Sequence, residues 1–515
     1  MLHKNSTTHM KWSGLSSVDV IDEQKGNRQG GLASGDEWKI YNNEMIKQLE
    51  EAGTEFDKIS GISTSCVAVA DDVAPCATAA NPRDALHQMQ YMLSIVEDHG
   101  TQLHMKFGQE KCKLLISARP KQIKNVQALL QAEPELLTFY GSPVQTVEDS
   151  YVHIGVPQAT HKQSQVMADY RIEKAQNISY KLQGVTKNSL AGVSPISNRK
   201  MFISYHQPTF LYGTDTMCLN VADMERIETK YRKTLKCMLS LPDCTNSEAV
   251  YLSIGVLPAT AQRDIEILGL LGQLAMCDTE SQSVRGVMEN TLTFYGVNFN
   301  GWSGLARRTC IKYDLPDPLQ YLQYPWRADR WRDHCKKIVY DYWEKQFLLK
   351  IKSMDSLQYV DIENISVGIP MRVWQMAGLC SEEVKMATVV NWMVLGVYFT
   401  RVFLHKMKKI KTPLCQGCNE ENEDLPHFLL KCSHYDDIRE SYLPKYFQLN
   451  LHISEILDNQ GLILQTILDP LASRLPASIR NNWSSVTTVY RISRQFCFHM
   501  HRRREKLYSE KEKGS

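Results

Sequence analysis

The sequence predicts an α+β protein in which antiparallel strands and helices near the N-terminus are followed by a largely α-helical region. Strand-like and helix-like segments alternate over residues 1–160, helical periodicity dominates afterwards, and a Cys/His cluster lies at 415–432. The 515 residues are enough for about two to four domains. With 43% hydrophobic and 23% charged residues, the chain is predicted to be globular.

Charge and cysteine content narrow the class of protein. The net charge is only +2, so the whole chain does not require a nucleic-acid partner, although a local basic groove remains open. The fourteen cysteines have no framework spacing, and the N-terminus lacks the apolar core of a signal peptide. The sequence therefore predicts an intracellular protein, nuclear or cytoplasmic, that is not secreted.

The most apolar segment is MATVVNWMVLGVYFT, residues 386–400. Lys385 and Arg401 bound it at fifteen residues, which is short of the roughly 20 that a membrane-spanning helix needs. We therefore expect a buried helix here and no membrane partner.

Two amphipathic helices are predicted within residues 1–160. The first ends at Gly53, and its apolar face is formed by Trp38, Tyr41, Met45 and Leu49. The second begins with Asn81 as N-cap, has Pro82 at its first position and ends at Gly100. Its apolar stripe consists of Leu86, Met89, Leu93 and Val96.

Strands are predicted in four segments of the same region. STSCVAVA and VAPCATA flank two adjacent aspartates as the arms of a hairpin, KCKLLIS reads as a buried strand, and SYVHIGVP reads as another. The aspartates, Asp71 and Asp72, interrupt a run of small apolar residues. Taken alone, the pair favours a solvated turn, because Asp is common in turns; carboxylate oxygens at a tight hairpin also suit Mg²⁺.

A glycine-containing segment lies about forty residues upstream of this pair. It contains Arg28, Gln29, Gly30 and Gly31 just before the first helix. Glycine permits close backbone approach to a ligand, and arginine pairs with phosphate. By itself this is a weak signal, but its combination with the aspartate hairpin is more specific.

In these motifs the chain resembles the reverse transcriptase of non-LTR (LINE-type) retrotransposons. NRQGGLAS resembles the segment of that family that contacts template and incoming nucleotide, and VAVADD resembles its catalytic hairpin. MKFGQEKCKLLI resembles the lysine strand that follows, and YVHIGVP resembles the primer-grip segment. The stretches QPTFLYGTDT and EAVYLSIGVLP, and the Cys/His segment, extend the resemblance over nearly the whole chain.

The resemblance implies a partial reverse transcriptase palm and roles for particular residues. Asp71 and Asp72 would be catalytic and hold Mg²⁺, while Lys111 would lie near the triphosphate of a deoxynucleoside triphosphate. Arg28, Gln29, Gly30 and Gly31 would line the nucleotide and template pocket. The primer grip would include Tyr151, Ile154 and Gly155. The implied partners are an RNA template and a DNA primer or target.

The sequence also departs from that family. The palm needs a further metal-binding aspartate well upstream of NRQGG, but only 27 residues precede Arg28, and neither Asp19 nor Asp22 matches it. Two-metal chemistry needs carboxylates that converge from separate strands. We therefore expect impaired nucleotidyl transfer, and a non-catalytic, zinc-containing nucleic-acid-binding remnant is the alternative. Whether Met1 is the true start decides between a polymerase and a remnant.

The second strong motif is CQGCNEENEDLPHFLLKC, which contains Cys415, Cys418, His427 and Cys432. Two close pairs of sulfur and nitrogen ligands predict a tetrahedral structural Zn²⁺ site. His434 is a substitute ligand.

Basic segments accompany this motif. Lys406, Lys408, Lys409 and Lys411 precede the cluster and suit either a nucleic-acid backbone or a solubilising helix face, while the later HRRR is followed by neutralising glutamates. In YPWRADRWRDHCKK, tryptophans alternate with arginines. That pattern suits single-stranded nucleic acid but more often marks a helix that buries its tryptophans.

The resulting domain prediction has five regions. They are a partial palm at 1–160, a helical thumb or connection at 161–300, a helical C-terminal region at 301–405, a basic segment with a zinc knuckle at 406–440 and a helical tail at 441–515.

Overall fold

The structure is a computed structural model. It describes Ser6–Thr8, Lys11–Trp12, Leu15–Ser16, Ile21–Glu23 and residues 34–513 apart from 54, 58–61, 64–65, 70–71, 183–187, 278–283, 361–365, 449–459 and 472–480. The protein is mostly helical and has several small sheets, which confirms the coarse fold prediction. The reverse transcriptase palm stays a proposal.

The chain divides into two compact units. The first consists of Met1–Gln163 with Cys277–Gly296, and the second consists of Ser164–Met276 with Val297–Ser515. These units are coarser than the five predicted regions, which stay a prediction.

The strands of the first unit form seven two-stranded ladders in the part of the chain that is described. Six are antiparallel and one, between Lys113–Leu114 and Gln145–Thr146, is parallel. The antiparallel pairs are Ser6–Thr8 with Ile21–Glu23, Lys11–Trp12 with Leu15–Ser16, Glu55–Asp57 with Ile62–Ser63, Cys66–Val69 with Asp72–Pro75, Thr138–Phe139 with Ser142–Pro143, and Ser150–His153 with Val156–Ala159.

Two strand predictions have different outcomes. The hairpin around the aspartates is confirmed, since Val69 pairs with Asp72 and Cys66 pairs with Pro75. The buried strand KCKLLIS is wrong in extent and burial. Only Lys113–Leu114 is a strand, with Lys113 exposed and Leu114 half-buried, because its one partner, Gln145–Thr146, pairs with it over just two residues.

Of the helices of the first unit, Ser34–Glu51 and Pro82–Gln102 pack their apolar faces against the hairpin around Asp72. Their bounds are Ser34–Glu51, Pro82–Gln102, Pro120–Ala132 and Val284–Phe294, with 3₁₀ turns at Gln109–Lys111 and Pro134–Leu136. Met45 and Leu49 of the first helix and Met92 and Val96 of the second form a buried core with Phe139.

Both predicted helix faces need small corrections. Tyr41 is 48% exposed, and Asn42 is buried in its place because positions 38, 42, 45 and 49 lie on one side of the helix. The Asn42 Nδ2 group donates to the Trp38 carbonyl, while Oδ1 has no hydrogen-bond partner among the described residues. In the second helix the predicted Met89 and Leu93 are only half-buried, whereas Met92 and Ile95 are buried. The N-cap at Asn81 is confirmed, but this helix continues past Gly100 to Gln102.

The second unit is built from helices. Gln163–Leu182 begins at the last residue of the first unit, and the others are Pro195–Met201, Gln207–Leu211, Val221–Met238, Ser247–Ile254, Ala259–Leu274, Trp302–Lys312, Pro318–Gln323, Ala328–Lys352, Arg372–Gln375, Ser381–Val394, Arg401–Lys406, Asp436–Phe447, Gln460–Leu468 and Trp483–Lys513. Short 3₁₀ turns lie at Ser189–Ala191, Asp355–Leu357 and Ser433–Tyr435, and π-helical turns lie at Phe202–His206 and His427–Lys431.

The apolar segment at 386–400 behaves as predicted over its helical part. Helix Ser381–Val394 is buried from Met386 to Val394 and is followed by Gly396 at φ +65°. A side chain at Gly396 would meet the Ser356 carbonyl oxygen, so the chain turns where only glycine fits. No described helix is long and apolar enough to cross a membrane.

Candidate metal centre and nucleic-acid interface

The four cysteine and histidine residues of the 415–432 motif come together at one point. Cys415 and Cys418 lie on a tight turn, in which the Gly417 N–H donates to Cys415 Sγ (3.3 Å) and the Glu420 N–H donates to Cys418 Sγ (3.4 Å). Such N–H donors orient thiolate sulfurs for a cation. His427 is the first residue of the π-helical turn His427–Lys431, and Cys432, which follows this turn, supplies the third sulfur.

Two separations between the ligand atoms match those around a tetrahedral zinc ion. Zn–S bonds of about 2.3 Å and a Zn–N bond of about 2.0 Å require ligand atoms about 3.5–3.8 Å apart. Cys415 Sγ lies 3.7 Å from Cys432 Sγ, and Cys418 Sγ lies 3.5 Å from His427 Nε2. All four ligand atoms lie within 4.8 Å of one another. The cluster can hold a metal such as zinc and would leave no coordination position for a substrate.

The sulfur atoms have unequal acidities. Burial raises the pKa of Cys415, and burial together with the negative charge of Cys415 raises the pKa of Cys432 to about 12. Slight burial also raises the pKa of Cys418, but the N–H groups of Glu421 and Glu420 outweigh it and lower that pKa to about 7. Three thiolates this close repel one another, so their joint deprotonation requires a cation between them.

Neighbouring carboxylates orient the histidine. His427 Nδ1 lies 3.0 Å from Glu421 Oε2, which leaves Nε2 directed towards the sulfurs. Asp424 Oδ1 accepts the backbone N–H of His427 at 2.7 Å. A carboxylate on the far nitrogen of a ligating histidine is the usual outer partner of zinc sites, and it fixes the tautomer. His434 is not one of the four clustered ligands.

Glu423, in the loop between Cys418 and His427, joins the cluster to the C-terminal helix Trp483–Lys513. Its buried carboxylate accepts two hydrogen bonds from Arg504, at 2.9 Å and 2.7 Å. It also accepts the Arg401 backbone N–H and the Tyr508 hydroxyl, each at 2.9 Å. The Arg504 guanidinium lies 4.3 Å from the centre of the Tyr508 ring.

The predicted basic segment is exposed beside the cluster. Helix Arg401–Lys406 ends there, and Lys408 has φ +57° at the turn that follows. The lysines Lys406, Lys408, Lys409 and Lys411 are all exposed, and none forms an ion pair with a described residue. This exposure fits both interpretations of the segment, a solubilising helix face and a surface that contacts a nucleic-acid backbone.

The later HRRR segment differs from this surface. Arg504 is neutralised by Glu423, and Arg503 lies 2.7 Å from Asp437. Neither arginine is therefore a free cation.

The structure describes only some of the residues that the reverse transcriptase resemblance implies. Arg28, Gln29, Gly30, Gly31 and Asp71 lie outside the described residues.

Asp72 is exposed at the start of strand Asp72–Pro75, opposite Val69. It belongs to no group of three or more potential metal ligands in the described part of the chain.

One hydrogen bond joins Lys111 to the predicted primer-grip residue Tyr151. The Tyr151 hydroxyl donates to the Lys111 backbone carbonyl at 3.4 Å. Tyr151 lies in the hairpin of Ser150–His153 with Val156–Ala159, and Ile154 and Gly155 form its tip at φ +50° and +73°. Two successive positive φ values define a type I′ turn, which matches the twist of a hairpin.

The tryptophan–arginine segment divides into buried and exposed residues. Trp331 is buried and donates from Nε1 to the Leu268 carbonyl at 2.8 Å, as a helix that buries its tryptophans requires. Arg332 pairs with Glu266 at 3.0 Å. Trp326, in contrast, is 49% exposed.

Sequence reasoning missed the roles of Glu421, Glu423 and Arg504. A glutamate within the metal loop is a weak local signal for a histidine partner. The Glu423–Arg504 pair joins residues 81 positions apart, and no local pattern marks it.

The chain matches no protein-family model, and a search of curated proteins gives no match. The assignment of function therefore depends on the geometry and on the motifs of the chain itself.

Proposed function

We propose that this chain is a reverse-transcriptase-type protein of a non-LTR retrotransposon that binds nucleic acid through a zinc-stabilised basic segment. The observation that carries the binding proposal is the position of four exposed lysines, which form no ion pair with a described residue, directly before the Cys₃His cluster. Zinc would fix the fold of the loop behind them. Unpaired lysines on a fixed loop bind phosphates by releasing counterions.

Binding to RNA at several salt concentrations tests this proposal. We expect affinity to fall steeply with salt, and Lys408→Ala with Lys409→Ala to reduce the slope of log K against log salt by about 1.5 to 2. Lys121→Ala with Lys124→Ala is the matched control, since both lysines are exposed on helix Pro120–Ala132. An unchanged slope in the first variant contradicts the proposed contact.

We further propose that the N-terminal unit retains elements of an RNA-directed DNA polymerase. Mg²⁺ bound to Asp71 and Asp72 would neutralise charge during phosphoryl transfer from a deoxynucleoside triphosphate. Lys111 would approach the triphosphate, and Tyr151 would help to place the primer end. The support is the hairpin that presents Asp72 and the hydroxyl of Tyr151 on the Lys111 carbonyl.

Catalysis is expected to be impaired, because Asp72 has no group of converging ligands among the described residues. Primer extension on an RNA template with Mg²⁺ or Mn²⁺ tests this, with Asp72→Asn as control. We expect template binding with little extension. Extension that Asp72→Asn abolishes would contradict the expected impairment and assign polymerase activity to the hairpin.

A further inference from the structure

Two stacked aromatic rings, those of Tyr321 and Trp331, are buried at the start of helix Ala328–Lys352. Trp331 is stacked on Tyr321, with ring centres 3.9 Å apart and planes 24° apart. A side chain at Gly272 would lie 2.5 Å from the Trp331 ring, so helix Ala259–Leu274 closes tightly over it. Together with the Nε1 bond to Leu268, these contacts fix the Trp331 indole in one orientation.

Trp326 contacts the buried ring of Trp331 but is itself exposed to solvent. Its ring is perpendicular to that of Trp331, at 87° with centres 6.1 Å apart, and lies 4.9 Å from the His334 ring. Its 49% exposure leaves a large part of the indole uncovered. Tyr324, two residues earlier in the linker between helices, is 80% exposed. An indole that contacts two rings and keeps half of its surface exposed loses less rotamer entropy on stacking than an indole without such contacts.

Of the two arginines that flank Asp329, one has no ion pair with any residue that the structure describes. Arg327 pairs with Asp329 at 2.9 Å. Arg330 is exposed, and its side chain forms no ion pair with a described residue; it lies four positions before His334 on the same helix face. The nearby Asp333 is also exposed and offsets part of the charge of Arg330.

We propose that Tyr324, Trp326 and Arg330 form a stacking platform for unpaired bases of single-stranded nucleic acid. The inference rests on the proposed nucleic-acid function and adds a second contact to the lysine segment. Exposed aromatic rings stack on any base, and an adjacent arginine contributes a cation to the same ligand. A duplex hides the faces of its bases, so the platform distinguishes single strands from duplexes.

Fluorescence anisotropy with a single-stranded RNA of about 20 nucleotides, compared with the matching duplex, tests the platform. We expect Trp326→Ala to weaken binding of the single strand about fivefold or more and to leave duplex binding unchanged. Trp326→Phe restores most of the affinity because it keeps an aromatic face. Trp483→Ala, which removes an indole that is 66% exposed, is the matched control and leaves both affinities unchanged.

The outcomes separate this inference from the proposed function. If the unaltered protein binds no RNA, both are wrong. If it binds RNA but Trp326→Ala leaves single-strand affinity unchanged, or weakens duplex binding equally, only the platform is wrong. Restored binding by Trp326→Phe excludes a general loss of folding as the cause of the defect in Trp326→Ala.

Discussion

Glu423 and Arg504 form a two-bond ion pair in the interior of the second unit, with Nε donating to Oε1 at 2.9 Å and Nη2 donating to Oε2 at 2.7 Å. The carboxylate belongs to the loop between two metal ligands, and the guanidinium belongs to the C-terminal helix. Ordering of the metal loop and docking of that helix are therefore linked through one pair of side chains.

Removal of the charge of Glu423 is expected to destabilise the protein. Glu423→Gln leaves the Arg504 guanidinium buried without a counterion, which costs about 3 kcal/mol or more in the free energy of unfolding. Urea denaturation measures this. Glu505→Gln, at an exposed position of the same helix, is the control, and an equal effect of the two substitutions would contradict the importance of the buried pair.

Metal removal is expected to loosen the C-terminal helix. Chelation frees Cys418 and His427, and with them the loop that presents Glu423. Amide hydrogen exchange should then become faster in helix Trp483–Lys513. The exchange rate of helix Ala328–Lys352, which does not contain residues of the metal loop, serves as the internal reference. Unchanged exchange in both helices after the metal is removed argues against the linkage.

Gly417 is expected to contribute to metal affinity. A side chain at Gly417 would lie 3.0 Å from His434 Cβ and 3.2 Å from Cys432 Sγ, so the third sulfur must shift. We expect Gly417→Ala to weaken zinc binding about tenfold in a competition titration with a chromogenic chelator. Gly296→Ala, where the added carbon meets open space, should leave zinc affinity unchanged. Equal affinities of the two variants would contradict this packing argument.

Stability is expected to fall in mild acid because of His206. This side chain is buried in the π-helical turn Phe202–His206, and its Nε2 has no hydrogen-bond partner in the described part of the chain. Burial lowers the pKa of His206 below its usual 6.5. The unfolded chain therefore takes up a proton as pH falls through 6.5, while the folded chain does so only at lower pH.

The pH dependence of unfolding by urea between neutral and mildly acidic pH measures this contribution. We expect His206→Gln to flatten the loss of stability with falling pH, whereas His405→Gln, at an exposed position, leaves it unchanged. A pH dependence in His206→Gln equal to that of the unaltered chain means that other groups are responsible.

The features that the sequence predicted correctly depend on short local patterns of residues. The spacing of Cys415, Cys418, His427 and Cys432 places four ligands within one short loop, so few other arrangements were open to it. The hairpin around Asp72 followed from the small and β-branched residues on both sides of the aspartate pair, and the buried helix followed from the length and apolar content of residues 386–400.

Features that depend on tertiary contacts were not predictable. Tyr41 and Asn42 are adjacent, and packing against the second helix decides which of them is buried. In the sequence Glu423 is one of several acidic residues in the loop, and nothing local distinguishes it from the others. Its partner Arg504 lies 81 residues later, on a helix that only the fold brings to the loop. Trp326 and Trp331 share one motif, but only the fold shows that one is buried and the other exposed.

The central claim is that Cys415, Cys418, His427 and Cys432 hold one structural zinc ion behind the lysine segment. Metal analysis combined with X-ray absorption of the purified chain tests it most directly. The account predicts one zinc per chain, with three sulfurs at about 2.3 Å and one nitrogen at about 2.0 Å, and loss of the metal in Cys415→Ala. A chain that is folded and free of zinc after purification in its presence would contradict the account.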